Sequence, residues 1–232
     1  MRIVPSSIDG VALHGPDSQE FSDGLTSLLG RAPRELLEPA LPFSVIVANH
    51  SERTVSLLGV RFDMVGPHAK EYSVVHFADT LRNPQKADFR PGTKRFVCAE
   101  PAYTALVVRG EVAANTRGRM NLGNLRRMLQ IRATLDCIAF DDGLFAGPDS
   151  QGSFERFARE REIEAGMVAD VLALEGAPLS TIEDALVRAI EDVQERARRA
   201  VARKLLEALA RDGRDEMFRA ARTYRHRIAL RR

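Results

Sequence analysis

Two groups of arginines are the residues of this 232-residue chain whose type and spacing could do chemistry. Residues 114–130 (ANTRGRMNLGNLRRMLQ) hold Arg117, Arg119, Arg126 and Arg127 and no acid. A guanidinium fork matches phosphate or carboxylate, so an acid-free basic loop reads as a place to hold an anion or an acidic partner. Read as a solvated connection, it needs no ligand. The second group is Arg219, Arg222, Arg225, Arg227, Arg231 and Arg232, set beside Tyr224 and His226. Residues 219–232 carry +6, against +2 for the whole chain. Cations interleaved with an aromatic are a nucleic-acid or anionic-surface footprint. The same arginines would also favour the negative end of a docked helix.

Other chemistry finds less support. His14, His50, His68, His76 and His226 show no metal-ligand spacing. Asp141-Asp142-Gly143 reads as a tight hairpin turn, and its spacing is not that of a calcium loop. Cys98 and Cys137 lie in apolar runs and read as buried thiols, with a disulfide between them as the alternative if their strands are neighbours. Nucleophile-elbow, P-loop and dinucleotide-binding motifs are absent. No catalytic residue, cofactor or metal is therefore assigned. The leading expectation is a non-enzymatic module for protein–protein contact or self-association. The alternatives are nucleic-acid or anionic-surface binding through the arginine tail, and an enzyme whose site has no sequence motif. No apolar run approaches the length of a membrane span, and residues 1–8 lack the apolar core of a secretory leader, so a cytoplasmic location is expected.

The elements that must position these residues fall into three stretches. Residues 1–41 read as an N-terminal arm, irregular and rich in turn formers over 1–20, with short helices over Phe21–Leu29 and Pro33–Leu37. Residues 42–150 read as an antiparallel β-sandwich. Its predicted strands are Phe43–Asn49, Thr54–Val65, Tyr72–Phe77, Thr93–Cys98, Tyr103–Val112, Ile131–Phe140 and Leu144–Ala146, with a short helix over Leu122–Leu129. Strict alternation places Ile131, Ala133, Leu135, Cys137 and Ala139 on one face, and Arg132, Thr134 and Asp136 on the other. Residues 151–232 turn to helical period. One helix starts at a capping Ser153. A second, about 30 residues long, begins at the capping box Ser180-Thr181-Ile182-Glu183 and carries an unbroken stripe from Ile182 to Leu209. Gly213 ends it, and a last helix starts near Asp215. The pentapeptide Gly-Pro-Asp-Ser-Gln occurs twice, at 15–19 and 147–151, each time before a predicted helix.

The segments LLEPALPFSVIVANHSERTVSLLGVRF (36–62), RPGTKRFV (90–97) and LDCIAFDDGLFAGPDSQGSFER (135–156) resemble a group of functionally uncharacterised bacterial proteins. In that group a sandwich like those of immunoglobulin or fibronectin type III domains precedes helices. The resemblance spans about residues 36–160 and implies the fold class; it brings no catalytic residues. The chain has no Trp, so the buried tryptophan of antibody-type domains is missing.

Overall fold

The structure, a computed structural model, describes residues 1–5, 8–29, 34–79, 89–109, 122–192, 195–226 and 230–232. The chain divides into two compact units. One comprises Met1–Asp141 with Ala146–Asp149, the other Asp142–Phe145 with Ser150–Arg232.

The first unit holds two sheets. Strands β1 (Arg2–Ile3), β4 (Val55–Val65), β5 (Glu71–Asp79) and β7 (Gln130–Phe140) form one in the order β1-β7-β4-β5, with β8 (Phe145–Ala146) beside β7. Strands β2 (Val11–His14), β3 (Ser44–Asn49) and β6 (Lys94–Cys98) form the other in the order β2-β3-β6. The strand-forming runs are β-branched and bounded by turn residues, and β3 (SVIVAN) is buried at every position. Helices α1 (Gln19–Leu29) and α2 (Arg34–Leu37) precede β3. Ser18 caps α1, its hydroxyl accepting the Phe21 N–H at 3.1 Å.

Four expectations for this unit are corrected. Within residues 1–41 the expected short helices are present as α1 and α2, but the stretch before them is not irregular throughout, because β1 and β2 are strands of the two sheets. The pairing is mixed rather than antiparallel throughout, since β1 runs parallel to β7 (Arg2 opposite Arg132, Ile3 opposite Ala133). The expected strand from Tyr103 is a helix, α3 (Pro101–Arg109). Pro101 has its φ preset at the first helical position, and a Glu100 carboxylate oxygen accepts the Ala102 N–H at 3.4 Å. These local start signals outweigh the β propensity of Val107 and Val108. The expected helix over Leu122–Leu129 reduces to a single 3-10 turn, Leu125–Arg127.

The second unit packs α4 (Ser153–Leu172), α5 (Leu179–Glu191), α6 (Arg196–Asp212) and α7 (Arg214–His226), with α6 against all three others. Met167, Val171, Ile182, Leu186, Val201, Leu205, Met217 and Phe218 form its core. The expected 30-residue helix is two helices. Asp192 (ψ 100°) leaves helical conformation, and α5 and α6 pack against each other. The capping box does not form, because α5 begins at Leu179 directly after Pro178 and no side chain caps it. Nor does Ser153 cap α4. It is the first helical residue and follows Gly152 at φ 60°. Gly213 (φ 84°) ends α6 as expected. Among the described residues, no helix is long and apolar enough to cross a membrane.

Candidate functional site

Strand β5 lies at the edge of its sheet. All nine of its residues pair with β4, from Glu71 opposite Val65 to Asp79 opposite Leu57. Among the described residues no strand pairs with its other side. An antiparallel strand points alternate N–H and C=O groups each way, so the outer side of β5 presents a row of backbone donors and acceptors.

The end of the β4–β5 hairpin carries an apolar cluster. Gly66 lets it form: a Cβ there would lie 3.0 Å from the Tyr72 ring and 3.5 Å from Met128 Sδ. Tyr72 is 41% exposed and Leu129 is 74% exposed, unusual for large apolar side chains. The Leu129 N–H donates to the Val65 carbonyl at 2.7 Å, fixing the segment before it to the hairpin. That segment is the 3-10 turn bearing Arg126 and Arg127, both exposed. The Lys70 ammonium stands 5.3 Å from the centre of the Tyr72 ring. Arg126, Arg127 and Lys70 form no ion pair with any described residue.

The tail arginines are placed differently. Arg219 pairs with Glu216, Arg222 with Glu175, Arg231 with Asp142 at 3.4 Å, and Arg232 with Glu155 at 3.5 Å. The Arg232 guanidinium also lies 4.6 Å from the Phe154 ring centre. The Arg231 backbone joins the turn before β8, donating to the Gly143 carbonyl at 2.8 Å and accepting from the Phe145 N–H at 2.7 Å. Arg225 lies in α7. Arg117, Arg119 and Arg227 fall outside the described residues. Arg126 and Arg127 thus form no ion pair with a described residue, although Arg126 acts electrostatically on Tyr103, whereas Arg219, Arg222, Arg231 and Arg232 are paired.

A second polar group was not legible from alternation. In the β4–β7 pairing Gly59 faces Cys137 while Val60 faces Leu135, so Asp136 is an extra, bulged residue. The bulge brings Asp136 and Cys137 toward one face, correcting the expected in–out assignment. Asp136 and Thr134 are buried, as are Leu135 and Cys137. The Asp149 N–H donates to the Asp136 carbonyl at 2.9 Å. Gly147 (φ 123°) permits this approach, since a Cβ there would lie 2.5 Å from the same carbonyl oxygen. Ligating atoms of Asp136, Cys137 and Asp149 come within 4.8 Å of one another, a donor set that a divalent cation accepts. Arg61, 3.7 Å from Asp136, already supplies positive charge there.

The remaining candidates are structural. Asp142 and Gly143 make the expected turn, with the Asp142 carboxylate accepting the Leu144 N–H at 3.0 Å. Cys98 and Cys137 form no disulfide; both are buried, and they lie on different sheets. Burial pushes the Cys98 thiol up to about 11, which keeps it protonated and poorly nucleophilic at neutral pH. His76 meets Phe62 edge to face at 5.5 Å. Burial holds its imidazole below the usual histidine value, and a hydrogen bond to the Ala99 backbone opposes that shift. Comparison with family models, curated proteins and solved structures finds no match for this chain.

Proposed function

We propose that this protein is a non-enzymatic interaction module whose sheet unit takes an extended segment of a partner protein onto β5. The observation that carries the reading is that no strand among the described residues pairs with the outer side of this nine-residue edge strand, which bears the exposed Tyr72. Strand addition satisfies the row of backbone groups, and Tyr72 gives the added segment a side-chain contact. A second copy of the chain is the weaker occupant. Antiparallel pairing of two β5 strands over all nine residues would set Glu71 opposite Asp79 at each end, like charge against like.

Two further expectations belong to the same reading. One is the likeness to bacterial proteins with an immunoglobulin-like sandwich before helices. Two sheets followed by a helical unit support it, whereas the parallel β1–β7 pair and helix α3 depart from that pattern. The other is a cytoplasmic place of action, which two buried thiols outside any disulfide support.

Proline scanning tests the module. Of neighbouring Val74 and Val75, one directs its N–H to β4 and the other outward. Val74→Pro and Val75→Pro are each measured for thermal stability and for binding of extended peptides selected from a display library. The expected result is that one variant loses stability, while the other stays folded and loses the peptides. A folded variant pair that binds as the parent does would rule out strand addition on β5.

A further inference from the structure

The outer faces of α5 and α6 carry opposite charges that find no partner among the described residues. We propose that they are the two halves of a self-complementary interface through which the helical unit joins a second copy of this chain, α5 of each copy lying antiparallel along α6 of the other. This inference is independent of the strand reading of β5.

Helical period puts each set of charges on one side. On α5, Glu183, Val187 and Glu191 recur every four residues with Asp184 beside them, and all are exposed. On α6, Arg196, Arg199 and Arg203 recur at intervals of three and four; Arg196 and Arg203 are exposed and Arg199 is half-buried. Both stripes lie opposite the residues that the helices bury in their shared core, Ile182 and Leu186 on α5 and Val201 and Leu205 on α6. Other charges of the unit are paired, Arg198 with Asp170 at 2.7 Å and Arg222 with Glu175. The three acids and three arginines of the stripes form no ion pair with a described residue. Two of them also stand where their own helix disfavours them. Glu191 is the last residue of α5, at its negative pole, and Arg196 is the first of α6, at its positive pole. Opposite charges brought alongside by a second copy offset both.

The stripes match in direction and length. Residues 192–195 reach over at most about 14 Å, less than the roughly 20 Å length of α5, so α6 packs back along α5 in the opposite sense. Two such hairpins related by a two-fold axis along the helices set α5 of each against α6 of the other, again antiparallel. Glu191 then meets the second copy's Arg196, and Glu183 meets its Arg203. The acids lie about 12 Å apart along α5 and the arginines about 10.5 Å apart along α6. Val187, 42% exposed between the acids, meets Ala200, half-buried between the arginines. Each copy supplies both faces, so the contact is made twice and closes at a dimer. Nucleic acid would suit the arginines but be repelled by the acids of the neighbouring helix, so it fits one face where a second copy fits both.

Sedimentation velocity on the full chain, across protein concentration and salt, reads the association. The parent is expected to dimerise, with a dissociation constant that rises with added salt. Arg196→Glu with Arg199→Glu and Arg203→Glu should raise it at least about tenfold, because like charges then face each other. Glu183→Lys with Asp184→Lys and Glu191→Lys should do the same. Arg196→Glu and Glu191→Lys both suit the dipole of their own helix, which favours folding, and circular dichroism checks that each variant is folded. An equimolar mixture of the two triple variants should recover dimers, as should one chain carrying all six changes. Arg222→Gln should leave the association as in the parent. A parent that is monomeric at every concentration overturns the proposal, and so does a dimer that the charge reversals leave intact. Dissociation by the reversals without recovery in the mixture overturns the pairing of α5 with α6. Binding of a single-stranded oligothymidylate by a monomeric parent, lost on reversal of the arginines, overturns it in favour of a nucleic-acid site.

Discussion

The packing around the β7 bulge makes a substitution at Gly59 informative. A Cβ at this position would lie 2.7 Å from Cys137 Sγ and 3.0 Å from Phe77 Cε1, where ordinary contact begins at 3.4 Å. In Gly59→Ala the sulfur must therefore yield by about 0.7 Å in a fully buried setting. Overpacking of this kind costs about 1–3 kcal/mol. Replacing a strand glycine by alanine returns about 0.5–1 kcal/mol of backbone entropy. The net expectation is a loss of about 0–2.5 kcal/mol, centred on about 1 kcal/mol. Cys137→Ala removes the sulfur, leaving only the rim of Phe77 to give a few tenths of an ångström. In that background Gly59→Ala should come within about 0.5 kcal/mol of neutral, a coupling of about 1 kcal/mol. Urea unfolding of the four proteins, compared at unchanged m, measures the cycle. Equal cost in both backgrounds would mean that Cys137 does not face Gly59, and the bulge geometry argued above would be wrong.

Two other outcomes are expected. Leu135, only 1% exposed, should cost about 2–5 kcal/mol as Leu135→Ala in the same unfolding assay, and a neutral result would place it at the surface. His76 titrates below its ordinary 6.5 in the fold, so the unfolded chain takes up the proton first. Its contribution is complete above that unfolded value and falls as pH drops below it. Protonation would also add a donor at Nε2, which is buried without a hydrogen-bond partner among the described residues. The thermal midpoint should therefore fall between about pH 7.5 and about pH 5.5, and fall less in His76→Gln. An identical fall in both proteins would assign the effect to another group, such as His14, whose burial shifts it in the same direction.

What the sequence conveys is burial and local turn chemistry, and the corrections follow from that. Strands β3, β4, β6 and β7 are legible because β-branched apolar runs are bounded by turn formers such as Pro42, Gly66, Gly92 and Asp141. The stripe from Ile182 to Leu209 is legible as an apolar surface but not as one helix. α5 and α6 face the same core, so the stripe continues across the break at Asp192. The Tyr103–Val108 stretch carries β-forming side chains, yet Glu100 and Pro101 just before it start a helix. The bulge at Asp136 escapes any single-strand reading, because it arises from pairing with Gly59 and Val60 on β4. For the candidate site, the absence of acids around Arg126 and Arg127 was a usable signal. The openness of β5 was not, since strand order depends on pairings across the chain.

The parallel contact of β1 with β7 joins residues 2–3 to residues 132–133. Few contacts in the first unit span more chain. Closing so long a loop before any reward is gained makes assembly slow, whereas helices that pack on near neighbours in sequence assemble fast. Refolding of this protein should therefore proceed in two phases, the helical unit first and the five-stranded sheet later. During the interval β4 is an exposed, strongly apolar strand (VSLLGV) without β7 beside it. That interval is when the chain is most prone to pair with another copy of itself, so refolding yield should fall as protein concentration rises.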